Sequence, residues 1–167
     1  MRVYKHPFEF VMRAYQMRFP TCDLTPMVQE TKVLDDTVDE ISGIHIINRR
    51  IKVEVKAPKI LKKAAKIEYL VFRQRNTLDP ANRTLRIDIW NESFHNRIKI
   101  QELCLYTVHP ENPEWTCYEQ NADLDIKSFF GIEGKAEKFA IKEYLASIDN
   151  AKDVMEYHIK VLSEEEN

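Results

Sequence analysis

Apolar and polar residues alternate with period two through much of the chain, and near residue 130 the period lengthens to three to four and stays so almost to the end. The change follows Leu103–Phe130, LCLYTVHPENPEWTCYEQNADLDIKSFF, where two apolar-rich segments flank a turn at His109-Pro110-Glu111-Asn112-Pro113. The two prolines leave that turn few backbone donors and favour a break in the sheet. Beyond it Ile132, Ala136, Phe139, Ala140, Tyr144, Ile148, Ala151, Met155, Ile159 and Leu162 step by three and four, the spacing of one helical face. No proline interrupts them, so a single helix of about 30 residues, roughly 45 Å long, is predicted. Ser163–Asn167 reads as its acidic, frayed end.

The earlier chain is built mainly from strands. Arg2–Lys5 is a short strand candidate, and His6-Pro7 then opens a helix with proline well placed in the first turn. Phe8, Val11, Met12, Tyr15 and Phe19 form its apolar stripe, and Pro20 stops it. Arg18 falls in the last predicted turn, where it either complements the helix dipole or faces a ligand. Met27–Val38 is a polar strand suited to a sheet edge, and Ile44–Val55 is the clearest strand of the first half. Ile67–Thr77, Arg83–Trp90, Arg97–Val108 and Glu114–Ile126 follow, with turns at Asp79–Asn82 and Asn91–Asn96. Counting the first, that makes about seven strands joined mostly by short turns, an antiparallel meander rather than alternating βα units.

Two places in this pattern point to chemistry. Period two puts Arg49 on the same face of its strand as Ile47, Ile51 and Val53. A guanidinium facing inward requires an anion or several acceptors. Either a carboxylate such as Glu102 or Glu119 on a neighbouring strand supplies it, or a bound phosphate does. After Ala57-Pro58 breaks the strand, Pro58–Lys66, PKILKKAAK, reads as a short basic amphipathic helix. It sets Ile60, Leu61 and Ala64 beside Lys59, Lys62, Lys63 and Lys66. It is too short for a core element and suits a mobile flap, a membrane-surface contact or a solvated connecting helix.

The 167 residues fit one domain, and a net charge of −2 argues against a dedicated nucleic-acid binder. Three glycines make neither a P-loop nor a dinucleotide fingerprint. Cys22, Cys104 and Cys117 form no CxxC pair and read as reduced thiols, with Cys104 and Cys117 on the two arms of the hairpin. The five histidines lack metal-binding spacing, and Asp123 and Asp125 are better explained as solvated than as an acid–base pair. No catalytic residue, metal ligand or cofactor is therefore expected, and the chain reads as a non-enzyme.

VYKHPFEF, RFPTC, the Arg49-Arg50 pair, KAPKILKK, NRTLRIDIWNESF and YTVHPENPEWTCYEQNADLDIKSFFG stand in the order found in PRELI-type (slowmo-like) lipid-transfer domains. The chain resembles these over nearly its whole length, most closely the PRELI domain at the front of multidomain CRAL-TRIO/GOLD proteins. The resemblance implies an α+β fold. In it a curved seven-stranded antiparallel sheet, a short N-terminal helix, a flap helix and a long C-terminal helix enclose an apolar tunnel. It also implies transfer of acidic phospholipid, phosphatidic acid or a phosphatidylinositol-like lipid, between membranes. By it, Arg18 lies at the tunnel bottom, Arg49 meets the phosphate, and Lys56 stands just before the flap of Lys59, Ile60, Leu61, Lys62 and Lys63. The implied partners are phospholipid, an anionic membrane surface and other domains of the same polypeptide. The implied setting is the cytoplasm, with the mitochondrial intermembrane space as the alternative. Where phosphatidic-acid carriers have lysines on the long helix, this chain has Glu143 and Asp149-Asn150, with Lys142 and Lys152 rotated away. Those positions imply weaker attraction for a dianionic headgroup. They leave open a module that mainly contacts other proteins or a membrane.

Overall fold

The alternating segments pair into one antiparallel sheet in the computed structural model, which describes residues 1–166. Its strands are β1 (Arg2–Tyr4), β2 (Val28–Val38), β3 (His45–Glu54), β4 (Tyr69–Asp79), β5 (Thr84–Asn91), β6 (Ile98–His109) and β7 (Asn112–Ile126). They lie in the order β1-β7-β6-β5-β4-β3-β2, so β2 to β7 form the expected meander and β1 adds beyond β7. The polar strand β2 does occupy an edge, exposed over most of its length. Three helices complete the described residues: α1 (Phe8–Gln16), α2 (Lys59–Ala65) and α3 (Glu133–Glu165). The fold is α+β.

Several boundaries differ from expectation for local reasons. The hairpin turn is tighter than its prolines suggested, because Pro113 lies inside β7. Strand β1 pairs only with Thr116–Tyr118, so Pro113 faces no partner on that side and its missing N–H costs nothing. Helix α1 ends at Gln16, so Arg18 lies beyond its last turn rather than in it. The C-terminal segment is not frayed as expected. Residues Ser163–Glu165 continue α3, and Glu166 binds Arg13 of α1 at 2.6 Å. Asn167, the last residue of that segment, lies outside the described residues.

One face of the sheet carries the helices, and the core divides into two clusters upon it. The first packs Phe8, Val11 and Tyr15 of α1 with Leu85, Ile87, Cys104 and Tyr106 of the sheet and Met155 and Leu162 of α3. A bidentate pair, Arg83 to Glu9 at 2.8 and 2.9 Å, and a bond from Thr116 Oγ1 to the His6 carbonyl fix α1 in place. The second cluster joins Ala57, Leu61, Ile67, Phe129 and Ala136. Helix α3, 33 residues and about 50 Å long, is thus pinned at both ends. Its buried residues are Ala136 near the start and Val154, Met155, His158 and Leu162 toward the end, with none between. In that middle stretch Ile141 and Leu145 are exposed.

Helix α2 departs from the flap expectation in one respect. Its Lys59, Ile60, Lys62 and Lys63 are exposed, but Leu61 is only 2 % exposed and seats the helix in the second cluster. A short helix becomes a core element here because Phe129 and Ala136, distant in sequence, cover it. Leu61→Ala is expected to lower stability by about 2–5 kcal/mol in urea denaturation. A loss below about 1 kcal/mol would show α2 to be detached in solution.

Candidate functional site

Across the inner face of the sheet runs a row of cross-strand neighbours: Arg49, Gln74, Ile89, Glu102 and Ala122. Residues opposite one another share a face, and this face is the one that carries the helices. Arg49 thus points inward, as its parity predicted. It is 7 % exposed.

Neither carboxylate that could have neutralised Arg49 does so. Glu102 accepts from Gln120 and from the Cys104 thiol, and Glu119 is exposed at the surface. Arg49 instead donates one bond, Nη1 to Gln74 Oε1 at 3.3 Å, and stacks 4.0 Å from the centre of the Phe19 ring. Among the described residues no carboxylate lies within ion-pair distance of it. Burial draws its pKa down, Tyr15 and Asp36 oppose that effect, and the charge of Arg18 adds to it. The half-buried Arg18 guanidinium stands 5.5 Å from the Tyr15 ring and 5.8 Å from the Phe19 ring, likewise without an ion-pair partner among the described residues. The turn after α1 and strand β3 therefore bring two cations, Arg18 and Arg49, to one aromatic pair. A guanidinium has five N–H donors, and most of those on Arg49 have no protein acceptor.

The described buried side-chain atoms that lack a hydrogen-bond partner are Asn76 Oδ1 and His158 Nδ1, and both belong to this neighbourhood. Asn76 Nδ2 donates to Tyr15 at 2.9 Å, and Asn76 and Arg49 line one crevice of about 20 Å³ between α1 and strands β3 and β4. His158 Nε2 lies 3.6 Å from Cys22 Sγ, and burial, then Arg18, lowers the His158 pKa. Farther across the sheet, burial, then Glu102, raises the Cys104 thiol to about 12 and keeps it protonated. Cys104 and Cys117 are not neighbours: Cys104 pairs with Gln120 and Cys117 with Thr107, on opposite faces.

A second basic place opens between α2 and the start of α3. Lys56, Pro58, Ile60, Leu61, Lys135, Lys138, Phe139, Lys142 and Glu143 line a groove of about 400 Å³. Lys135 and Lys138 went unread in the sequence, although their spacing of three and four with Lys142 places them along one side of a helix. Lys142, though rotated about 100° from Glu143 around the helix, lines the same groove, where four lysines outnumber one carboxylate. Arg18 and Arg49 are not part of its lining, so the sequence-predicted cations divide between two places. Among the described residues no cluster of His, Cys, Asp or Glu could hold a metal ion, and no helix is long and apolar enough to cross a membrane. Asp123 and Asp125 are both exposed.

The model of the PRELI-like family matches residues 9–166. The chain belongs to that family. Protein real-time of Drosophila melanogaster is 47 % identical over 165 residues, covering 99 % of this chain and 25 % of that protein. A CRAL-TRIO domain-containing protein of Caenorhabditis elegans is 44 % identical over 162 residues, covering 97 % of this chain and 22 % of that protein. The Dictyostelium discoideum slowmo homologue is 28 % identical, covering 92 % of this chain and 66 % of its own length. This PRELI-like chain therefore spans about a quarter of the first two relatives. Among solved structures, the Zhui aromatase/cyclase from Streptomyces superposes with a TM-score of 0.54 at 13 % identity, covering 94 % of this chain and 89 % of that one. That likeness is one of fold alone.

His158 gives the site a pH signature. Its folded pKa lies below the ordinary value of 6.5, so its contribution to stability is full above 6.5 and is lost as pH falls through the folded pKa. Thermal melts at pH 7.5 and pH 5 should show a larger drop for the native chain than for His158→Phe. Equal drops would place the protonation cost elsewhere.

Proposed function

We propose that this chain binds one acidic phospholipid between its sheet and α3, with the headgroup phosphate on Arg49 and Arg18, and carries it between membranes. The observation that carries this reading is the buried Arg49 guanidinium with one neutral hydrogen bond and no carboxylate partner. A phosphate matches its planar fork of donors and would neutralise both arginines together. Support for acyl chains comes from α3, which is anchored at its two ends and covers the inner sheet face without burying a residue between. An apolar tunnel beneath that stretch is part of the proposal. So is a role without catalysis, in keeping with exposed Asp123 and Asp125 and a Cys104 thiol held protonated.

The groove of Lys56, Lys135, Lys138 and Lys142 supports docking on an anionic bilayer, where each lysine near the surface adds up to about 1 kcal/mol, screened by salt. Exposed Lys59, Ile60, Lys62 and Lys63 extend that surface along α2. The four lysines outweigh Glu143, which therefore bears on docking rather than on the phosphate. We place this exchange at cytoplasmic membranes, with neighbouring domains of a longer polypeptide as partners, since the chain spans about a quarter of its relatives.

Arg49→Met removes the charge and keeps the bulk. Uptake of a fluorescent acidic phospholipid from vesicles should fall by at least about tenfold. Stability of the lipid-free chain should hold or rise, because an unpaired buried charge is being replaced by a hydrophobe. Undiminished uptake would overturn the assignment. A stability loss of about 3–5 kcal/mol would mark Arg49 as a structural ion-pair member instead.

A further inference from the structure

Two asparagines are buried on the inner face of the sheet, and only one of them is satisfied. Asn91 Nδ2 donates to the Ser93 and Ile98 carbonyls at 2.8 Å, and Asn91 Oδ1 accepts from Ile100 N at 2.8 Å. Asn76, 5 % exposed, is held by Tyr15 through Nδ2 and leaves Oδ1 without a donor. A buried carbonyl oxygen without a partner is costly, and most such groups in folded proteins are matched. This one lies in the crevice that Arg49 also lines.

We propose that Asn76 determines headgroup specificity, and that the lipid bound here carries hydroxyl groups beyond its phosphate, as a glycerol or other polyol headgroup does. The inference rests on the reading of Arg49 as the phosphate-binding residue. An acceptor beside a phosphate site calls for a donor on the ligand. A bare phosphate monoester presents mainly acceptor oxygens, which Asn76 Oδ1 would meet oxygen to oxygen. An ammonium group is a donor too, but it would set a third cation beside Arg18 and Arg49. A hydroxyl donates without adding charge. The crevice, about 20 Å³, admits one water-sized group, so a single hydroxyl fills it in place of a water.

Phosphatidylglycerol and phosphatidylethanol carry the same charge and differ in the headgroup hydroxyls. Each, together with phosphatidic acid and phosphatidylethanolamine, is offered to the 167-residue chain in phosphatidylcholine vesicles, and lipid capture is measured by competition. Phosphatidylglycerol should be taken about tenfold better than phosphatidylethanol or phosphatidic acid, as one added hydrogen bond implies. Phosphatidylethanolamine should be taken least. Asn76→Leu should erase the advantage of phosphatidylglycerol, so that the variant takes the two diesters equally. The comparison of the two diesters needs no variant, so it decides even if Asn76→Leu fails to fold. Equal capture of the diesters, or a uniform loss across all lipids in Asn76→Leu, overturns the role of Asn76 and leaves the phosphate site standing. Capture of none of the lipids overturns both.

Discussion

A guanidinium taken out of water must recover its hydration from the protein or leave the site under strain. From the protein Arg49 recovers one amide oxygen at 3.3 Å, the face of Phe19 at 4.0 Å and the more distant charge of Asp36, and none of its nitrogens is both sealed from solvent and unbonded. Stacking on an aromatic face returns a few kcal/mol at most, about 0.5–2 by ordinary measure. Arg18 then adds a second cation to the same aromatic pair. Such a site gives up stability where a hydrophobe would have supplied it, the pattern expected where function sets the residue. The orphaned Asn76 Oδ1 and His158 Nδ1 fall in this same region, while Asn91 on the same sheet face is fully bonded.

The scaffold makes this deficit usable. Helix α3 is held by Ala136 in one cluster and by Val154–Leu162 in the other, so its middle need not touch the sheet. Anchoring a helix only at its ends separates two tasks that usually compete. The clusters supply the apolar burial that stabilises the fold, and the span between them, where Tyr144 lies near Glu102 and Cys104, is where the proposed lipid would sit. Glu133 secures the start of the helix by accepting from Phe129 N and Gly131 N at 2.7 and 3.2 Å. Arg13 holds the other end through Glu166.

The sheet was legible because period two survives in the long strands other than the polar edge strand β2, and the same parity showed Arg49 turning inward. What it could not show was the absence of a partner, since Glu102 sits in the same cross-strand row yet bonds to Gln120 and Cys104. Arg18 was placed one turn too early because Phe19 continues the helical spacing by coincidence; the helix stops at Gln16. Leu61 was assigned to a loose flap because its cover, Phe129 and Ala136, comes from far along the chain. Lys135 and Lys138 did carry a helical signal with Lys142, but it ran beside the apolar stripe, and only Lys142 was weighed. Nothing local marked Asn76, whose neighbour Tyr15 arrives from α1. Side chains whose role depends on long-range partners are the ones that pattern alone does not reveal.

The central claim is that this PRELI-like fold encloses one phospholipid molecule per chain. A native mass spectrum of the purified chain, taken after incubation with vesicles containing acidic phospholipid, tests it most directly. The account predicts one added mass equal to a single phospholipid, retained at gentle activation and matched by headgroup and acyl fragments. A folded chain that shows only its own mass under those conditions would contradict it.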